Sequence, residues 1–467
     1  MRLIAALPLI AFSYCLNAFA ANSLTLSAED RTDLALTLYT DNLAFVQDSR
    51  TLPALANDQT THLSDISRLM EVESLQIRNA GKIKEQTLNQ ATVSFNTLLE
   101  QHIGKRIQLK NDQASQADPL YEGILLNVEN NTALVKIDQR IETIPLYNQW
   151  RIIFPNISED LLLKPSLTFK TEGTTESQTS SLNYLTQGLS WKMDYVATFN
   201  DDHSALLLDG LASMSNNTGT DFNNARIRLL AGDVNQSNAP RFREKVLMMA
   251  AAPAESDNQV ARESLNDFQL YTLPNRVSLA DQQQTQVSLL HAETIKVDSK
   301  LRYNLYIHGE LDQTEDRIKP DSFISFINNQ HYGIGEPLPA GQVRFFSPDK
   351  KGDLHFVGTD NIGQTAIGQP VELTLGKSFD VTIKKQQTDY QASYDGSVVA
   401  YELRIKNSGS TNQEIEITSQ FGQPWKLVSS STKPSAESAS EAKWTVKLPG
   451  KSDTVLAFRV RITPRKS

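Results

Sequence analysis

Four carboxylates, Asp194, Asp209, Asp221 and Asp233, come closest in type and spacing to a reaction centre in this chain. Two carboxyls held about 5–9 Å apart can cleave a glycosidic bond, one donating a proton while the other activates water or attacks. Asp194 and Asp233 are the pair that would carry such a hydrolysis. Each aspartate also has an ordinary role. Asp194 falls on the polar face of an alternating segment, and Asp221 and Asp233 fall in turns, where short carboxylates cap backbone N–H groups. Other chemistry is missing from the pattern. The chain has no G-x-S-x-G elbow, H-E-x-x-H, phosphate loop or calcium-binding run. Its seven histidines are scattered without a second ligand at close spacing, so neither a metal nor a cofactor is implied. Ser347-Pro348-Asp349-Lys350 and Ser430-Ser431-Thr432-Lys433 match S-x-x-K, but that motif needs Ser and Lys one helical turn apart, and both stretches read as turns or loops.

The start of the chain reads as an address. Arg2, an apolar run from Leu3 to Leu16, and the small-x-small triplet Ala18-Phe19-Ala20 have the form of a secretory signal peptide over residues 1–20. The expected product is periplasmic or secreted, cleaved near Ala20. The single cysteine, Cys15, lies inside that leader, so the mature chain is expected to have no disulfides. Removing Arg2 takes the formal charge from −9 to −10, which disfavours nucleic acid as a partner. No later stretch reaches the roughly 20 apolar residues of a membrane-spanning helix, so no transmembrane segment is expected.

Period-two alternation dominates the rest and predicts a mostly β fold. Leu189, Trp191, Met193, Tyr195, Ala197 and Phe199 alternate with largely polar residues, which directs Trp191 into a core. Ala225, Ile227, Leu229 and Val399, Tyr401, Leu403, Ile405 repeat the pattern. The predicted organisation is an N-terminal β region at 21–95, a small SH3-like barrel at 96–156, and two immunoglobulin-like β-sandwiches in series at 157–375 and 376–467. The last is expected to begin with Phe379, Val381 and Ile383. Thr97 and Glu100 suit a capping box on a short helix. Asn217-Thr218-Gly219-Thr220 and Asn407-Ser408-Gly409-Ser410 predict matching tight reversals, each between two strands.

Residues 236–266 break the alternation and read as a mobile insert in the first sandwich, with Arg241, Arg243, Met248 and Met249 on it. Aromatic anchors and an ordered loop would supply contact area. The candidate binding residues are therefore Trp191, Tyr195 and Trp425 together with Arg241, Arg243, Met248 and Met249.

Several runs resemble one bacterial family: Leu182 to Trp191 with Tyr195-Val196-Ala197, Asn217 to Asp221, Ala231-Gly232-Asp233-Val234-Asn235, and Gly335 to Gly341 with Val343-Arg344. They are similar to the domain of unknown function 4139, whose members include proteins called mucoidy-inhibitor-like. The resemblance implies an exported β-rich protein and brings no reaction or catalytic residues. Members of the mucoidy-inhibitor-like kind carry a coiled-coil portion that has no counterpart here, so a role in capsule control does not transfer.

These readings converge on a non-enzymatic exported protein that binds an envelope protein or glycan, or acts as a scaffold of the bacterial envelope. The alternatives are an envelope glycan or peptide hydrolase using Asp194 and Asp233, and a surface adhesion module. N-terminal sequencing of exported protein should return Ala21 as the first residue; retention of Arg2 would contradict the leader reading.

Overall fold

In the computed structural model, residues 23–89, 94–111, 120–146, 150–155, 165–232, 260–265, 268–312 and 316–463 are described. The described residues are mainly strands, arranged in six sheets. None of its helices, among the described residues, is long and apolar enough to cross a membrane.

The strand Leu189–Phe199 shows how the alternation becomes a core. Leu189, Trp191, Met193, Tyr195, Ala197 and Phe199 are all buried. Successive side chains of a strand point to opposite faces, so one face can be wholly apolar. Ala205–Asn216 pairs with it antiparallel on one side and Gly341–Pro348 in parallel on the other. Gln283–Lys296 and Leu354–Ile362 complete this five-stranded sheet. Gly341 is required where the parallel strand begins, since a Cβ there would lie 2.3 Å from the carbonyl oxygen of Met193. Opposite stands a larger sheet in the order Ala261–Leu265, Phe268–Thr272, Phe222–Ala231, Arg31–Tyr39, Ala44–Leu52, Gln178–Thr186 and Gln76–Arg78, with Val277–Leu279 also on Phe222–Ala231. The Trp191 indole N–H crosses the gap and donates to the Leu230 carbonyl at 3.0 Å.

Strand pairing crosses the expected boundary at 157. Arg31–Tyr39 lies parallel to Phe222–Ala231, and Ala44–Leu52 pairs along its whole length with Gln178–Thr186. Leu36, Val46 and Trp191 share one core. A charged cluster is sealed into the same region. Asp48 accepts from Arg31 at 2.9 and 3.0 Å and from Arg50 at 2.8 and 3.2 Å. Arg50 is wholly buried and also donates to the carbonyls of Leu26 and Ser64. The carbonyls belong to the ends of two further strands, Ser23–Leu26 and Thr60–Ser64, so one guanidinium fastens a small four-stranded sheet to the large one.

Between these strands runs a separate unit. Its sheet has the order Arg140–Pro145, Thr132–Ile137, Tyr121–Glu129, Arg106–Asn111, Trp150–Ile153, closing its own core around Ile107, Leu125 and Val135. The last strand returns to pair with the first, though the two ends of the sheet do not pair among the described residues. A helix, Phe95–Gln101, precedes it. Its cap is Ser94, whose hydroxyl accepts from the Thr97 N–H, so the helix starts before the Thr97 and Glu100 box that spacing suggests.

The second sandwich pairs the sheet Pro370–Lys377, Asp321–Ile327, Asp298–Ile307, Gln413–Phe421, Glu441–Leu448, Ala436–Glu437 with the sheet Asp316–Ile318, Val381–Ser393, Gly396–Asn407, Ser452–Ile462, Trp425–Ser430. The first of these sheets reaches across the expected boundary at 375. Ile324, Phe326, Val371 and Leu373 belong to the first core, while Leu301, Leu305, Ile415 and Ile417 belong to the second. Phe379 is not part of the strand that follows it, which begins at Val381, and its side chain is 86% exposed.

Both predicted reversals are stapled by an asparagine. Asn407 donates to Thr411 and Leu448 carbonyls and accepts from the Gly409 N–H. The equivalent residue in the first sandwich is Asn216, one position before the expected Asn217; it donates to Thr220 and Leu279 carbonyls and accepts from Thr218. Gly219 adopts positive φ, and Gly409 does not.

Asp48→Asn should lower stability by about 3–5 kcal/mol in chemical denaturation, because it strands two guanidinium groups away from water. Asp58→Asn, which breaks an exposed pair with Lys84, should cost under about 1 kcal/mol. Equal effects would contradict the account of the buried cluster.

Candidate functional site

Asp194 is a strand residue on the face opposite Trp191, yet it is buried. Ser213, two residues beyond its partner Leu211 on the antiparallel strand, donates from Oγ at 2.6 Å. Arg344, from the parallel strand, donates at 3.1 Å, and Lys192 Nζ stands 3.5 Å away. Gln286 in turn donates to Ser213 at 2.7 Å. Burial pushes the Asp194 carboxyl upward, but the Ser213 hydroxyl and the Arg344 guanidinium outweigh it and hold the group below the usual carboxylate range. A general acid needs the opposite shift. Asp194 thus ties three strands together through Ser213 and Arg344, and does not suit the proton-donating half of a carboxylate pair.

Its proposed partner Asp233 lies outside the described residues, as do Arg241, Arg243, Met248 and Met249. The tail of the expected insert is ordered differently from a loop, with Ala261–Leu265 forming an edge hairpin with Phe268–Thr272. The other carboxylates serve local structure. Asp221 accepts from the Asp281 N–H at 2.8 Å, and Asp209 pairs at 2.5 Å with His291, raising that imidazole's affinity for a proton.

Two of the three aromatic candidates are buried. Trp191 is buried against Tyr271, and Tyr195 is fully buried with its hydroxyl donating to the Pro339 carbonyl at 2.8 Å. Burial pushes the Tyr195 hydroxyl's pKa well up. Tyr271 likewise donates to the Pro337 carbonyl. These tyrosines pin the Gly335–Gly341 loop, so that motif serves the fold. Trp425 is half-buried, stacked on Phe421 with centroids 4.1 Å apart, and packs against the second core. The S-x-x-K serine Ser347 lies just inside the end of a strand rather than opening a helix, and Lys350 lies in the turn that follows.

Two adjoining cavities lie where the two cores meet. One cavity of about 480 Å³ is walled by Phe199, Ile324 and Leu375 from the first core side and by Leu301 and Val381 from the second, with Phe379 at its rim. A neighbouring one of about 620 Å³ is lined by Asp202, Thr411, Asn412, Glu414 and Lys447. His203, Ser299 and Gln413 line both, so together they form one seam. His203 sits at positive φ in a turn, packs edge-on against Phe199 with centroids 5.1 Å apart, and has Nε2 2.8 Å from Ser347 Oγ. Lys319 holds its ammonium 4.8 Å from the Phe379 ring centroid. The seam offers apolar wall, aromatic rim and both neutral and charged hydrogen-bonding groups, the makings of a binding surface. Sequence reasoning missed it. An aromatic placed between Ser378 and Asp380, just ahead of a strand, was the one signal in the pattern.

Because the folded Asp194 carboxyl titrates below its unfolded value, its contribution is complete above the usual range near pH 4 and fades as pH falls through the folded value. Asp194→Asn should therefore cost about 1–3 kcal/mol at pH 7 and less near pH 3. Thermal unfolding of both proteins across that range checks this, and a gap that stays constant or widens toward acid would contradict it.

No curated protein matches this chain. A family model described as a domain of unknown function, DUF4139, matches residues 181–464, which takes in Asp194, both walls of the seam and the whole second sandwich. With more than half of its length matched, the chain belongs to the DUF4139 family.

Proposed function

We propose that this protein acts by binding rather than by catalysis, as a scaffold or partner-binding component of the bacterial envelope, exported by its leader. The observation that carries the reading is the seam, an open groove between two packed cores with an aromatic rim. Its apolar wall and mixed polar lining suit a protein segment or glycan. The carboxylate chemistry of the rival hydrolase reading finds no support at Asp194, whose oxygens are engaged by Ser213, Arg344 and Lys192.

Ser299 is exposed and lines both cavities, so Ser299→Trp fills the seam with little strain on either core. Immobilised mature protein should retain a partner from an envelope extract, and the Ser299→Trp variant should lose it at unchanged thermal midpoint. Equal retention by both, or nothing above a blank resin, would overturn the reading.

A further inference from the structure

We infer that the outer edge of the strand Leu354–Ile362 is a docking site for an extended peptide segment of another protein, uncharged and apolar at alternate positions, which adds as a further strand to the five-stranded sheet. The inference rests on the binding reading above and names the kind of partner. This strand is the last of its sheet. Gly341–Pro348 pairs with one side of it, and among the described residues no strand pairs with the other. An edge of this kind exposes a row of backbone N–H and C=O groups that a peptide can complete.

Its far half packs through its side-chain face on the strand Pro370–Lys377. The space beside Gly358 is taken by the Leu375 carbonyl, 3.1 Å from where a Cβ would be, and Asp360 accepts from the Thr374 N–H. The near half is open and mostly apolar, with His355 turned to Asp349 at 3.2 Å. Leu354 is 57% exposed, Phe356 60% and Val357 43%. The register slips at Val357, which is left over between the pairs Phe346–Phe356 and Phe345–Gly358. That slip turns Val357 into the wall of the 480 Å³ cavity. Phe356 meanwhile rests edge-on against Phe346, centroids 5.9 Å apart. A strand added here meets apolar side chains above and below the sheet, and runs toward the rim at Phe379, where a large apolar side chain can enter the cavity.

The occupant follows from extent and charge. Residues 354 to 357 carry no Lys, Arg, Asp or Glu, so the docked stretch needs no charge of its own. Four residues of edge span only about 13 Å. A strip of that length is too short to bury the roughly 800 Å² per partner of a stable protein–protein interface. Two copies, each at formal charge −9, would also repel on approach. A narrow peptide from a different protein fits what a second copy does not.

The test uses the full chain and a fluorescein-labelled peptide of about eight residues, alternating valine and threonine with one central phenylalanine. The same peptide N-methylated at alternate amides is the control, since methylation removes the backbone donors on one edge. Fluorescence anisotropy should show saturable binding of the first peptide. Binding should weaken by about tenfold or more with the methylated peptide, and equally with Phe356→Asp or Val357→Asp. Val428→Asp, at an exposed apolar site on another edge strand, should leave it unchanged. Equal binding of the two peptides, or indifference to Phe356→Asp, would overturn the inference. So would a doubling of mass in solution that Phe356→Asp abolishes, which would give the edge to a second copy. No peptide binding, with partner capture still lost in Ser299→Trp, would overturn this inference while leaving the seam reading intact.

Discussion

Arg302 stands at the point on which the arrangement of the two cores depends. The strand Asp298–Ile307 pairs antiparallel with Asp321–Ile327 through its first half, up to Arg302, and in parallel with Gln413–Phe421 from Leu301 onward. At the handover the guanidinium lies 4.2 Å from the Phe323 ring centroid, donates to Glu372 on one flank and donates to Glu416 on the other. One side chain therefore touches both halves of a sheet whose two ends serve different cores. Exposed ion pairs contribute little singly. Here the weight is carried by the continuous backbone ladder beneath them, and Arg302 sits where that ladder is paired on both sides.

The seam is a consequence of that handover. A sheet shared by two cores is not covered by both facing sheets at the crossing, so Ser299 is exposed there and the buried Leu301 and Ile324 line the cavity floor. Turns fill the rim. Asn200–Ser204 brings His203 from one side, and the Asn407-stapled reversal brings Thr411 to Gln413 from the other. The groove is thereby held by rigid elements rather than by a loose linker, which favours binding of an extended partner at low ordering cost.

Local features were readable from the pattern of residues, and long-range ones were not. Alternation alone placed Trp191 in a core and located the strand Leu189–Phe199. The same alternation misplaced Phe379, because a strand's first residue and the bend before it share one periodicity and only the packing of the facing sheet tells them apart. Strand partners were invisible for a different reason. Parallel pairing of Arg31–Tyr39 with Phe222–Ala231, and of Asp298–Ile307 with Gln413–Phe421, joins segments far apart in the chain, and nothing in either segment marks its mate. Asp194 looked like a solvated polar-face residue. Its real surroundings include Arg344, contributed from 150 positions away.

The central claim, that one sheet unites two cores and so sets the seam, is tested most directly by native-state hydrogen exchange. Amides of Asp298–Ile307, Asp321–Ile327 and Gln413–Phe421 should open together, with one shared free energy and one shared response to denaturant. Exchange of Gln413–Phe421 with an opening energy and denaturant response independent of Asp321–Ile327 would show two cores that merely adjoin, and would contradict the account.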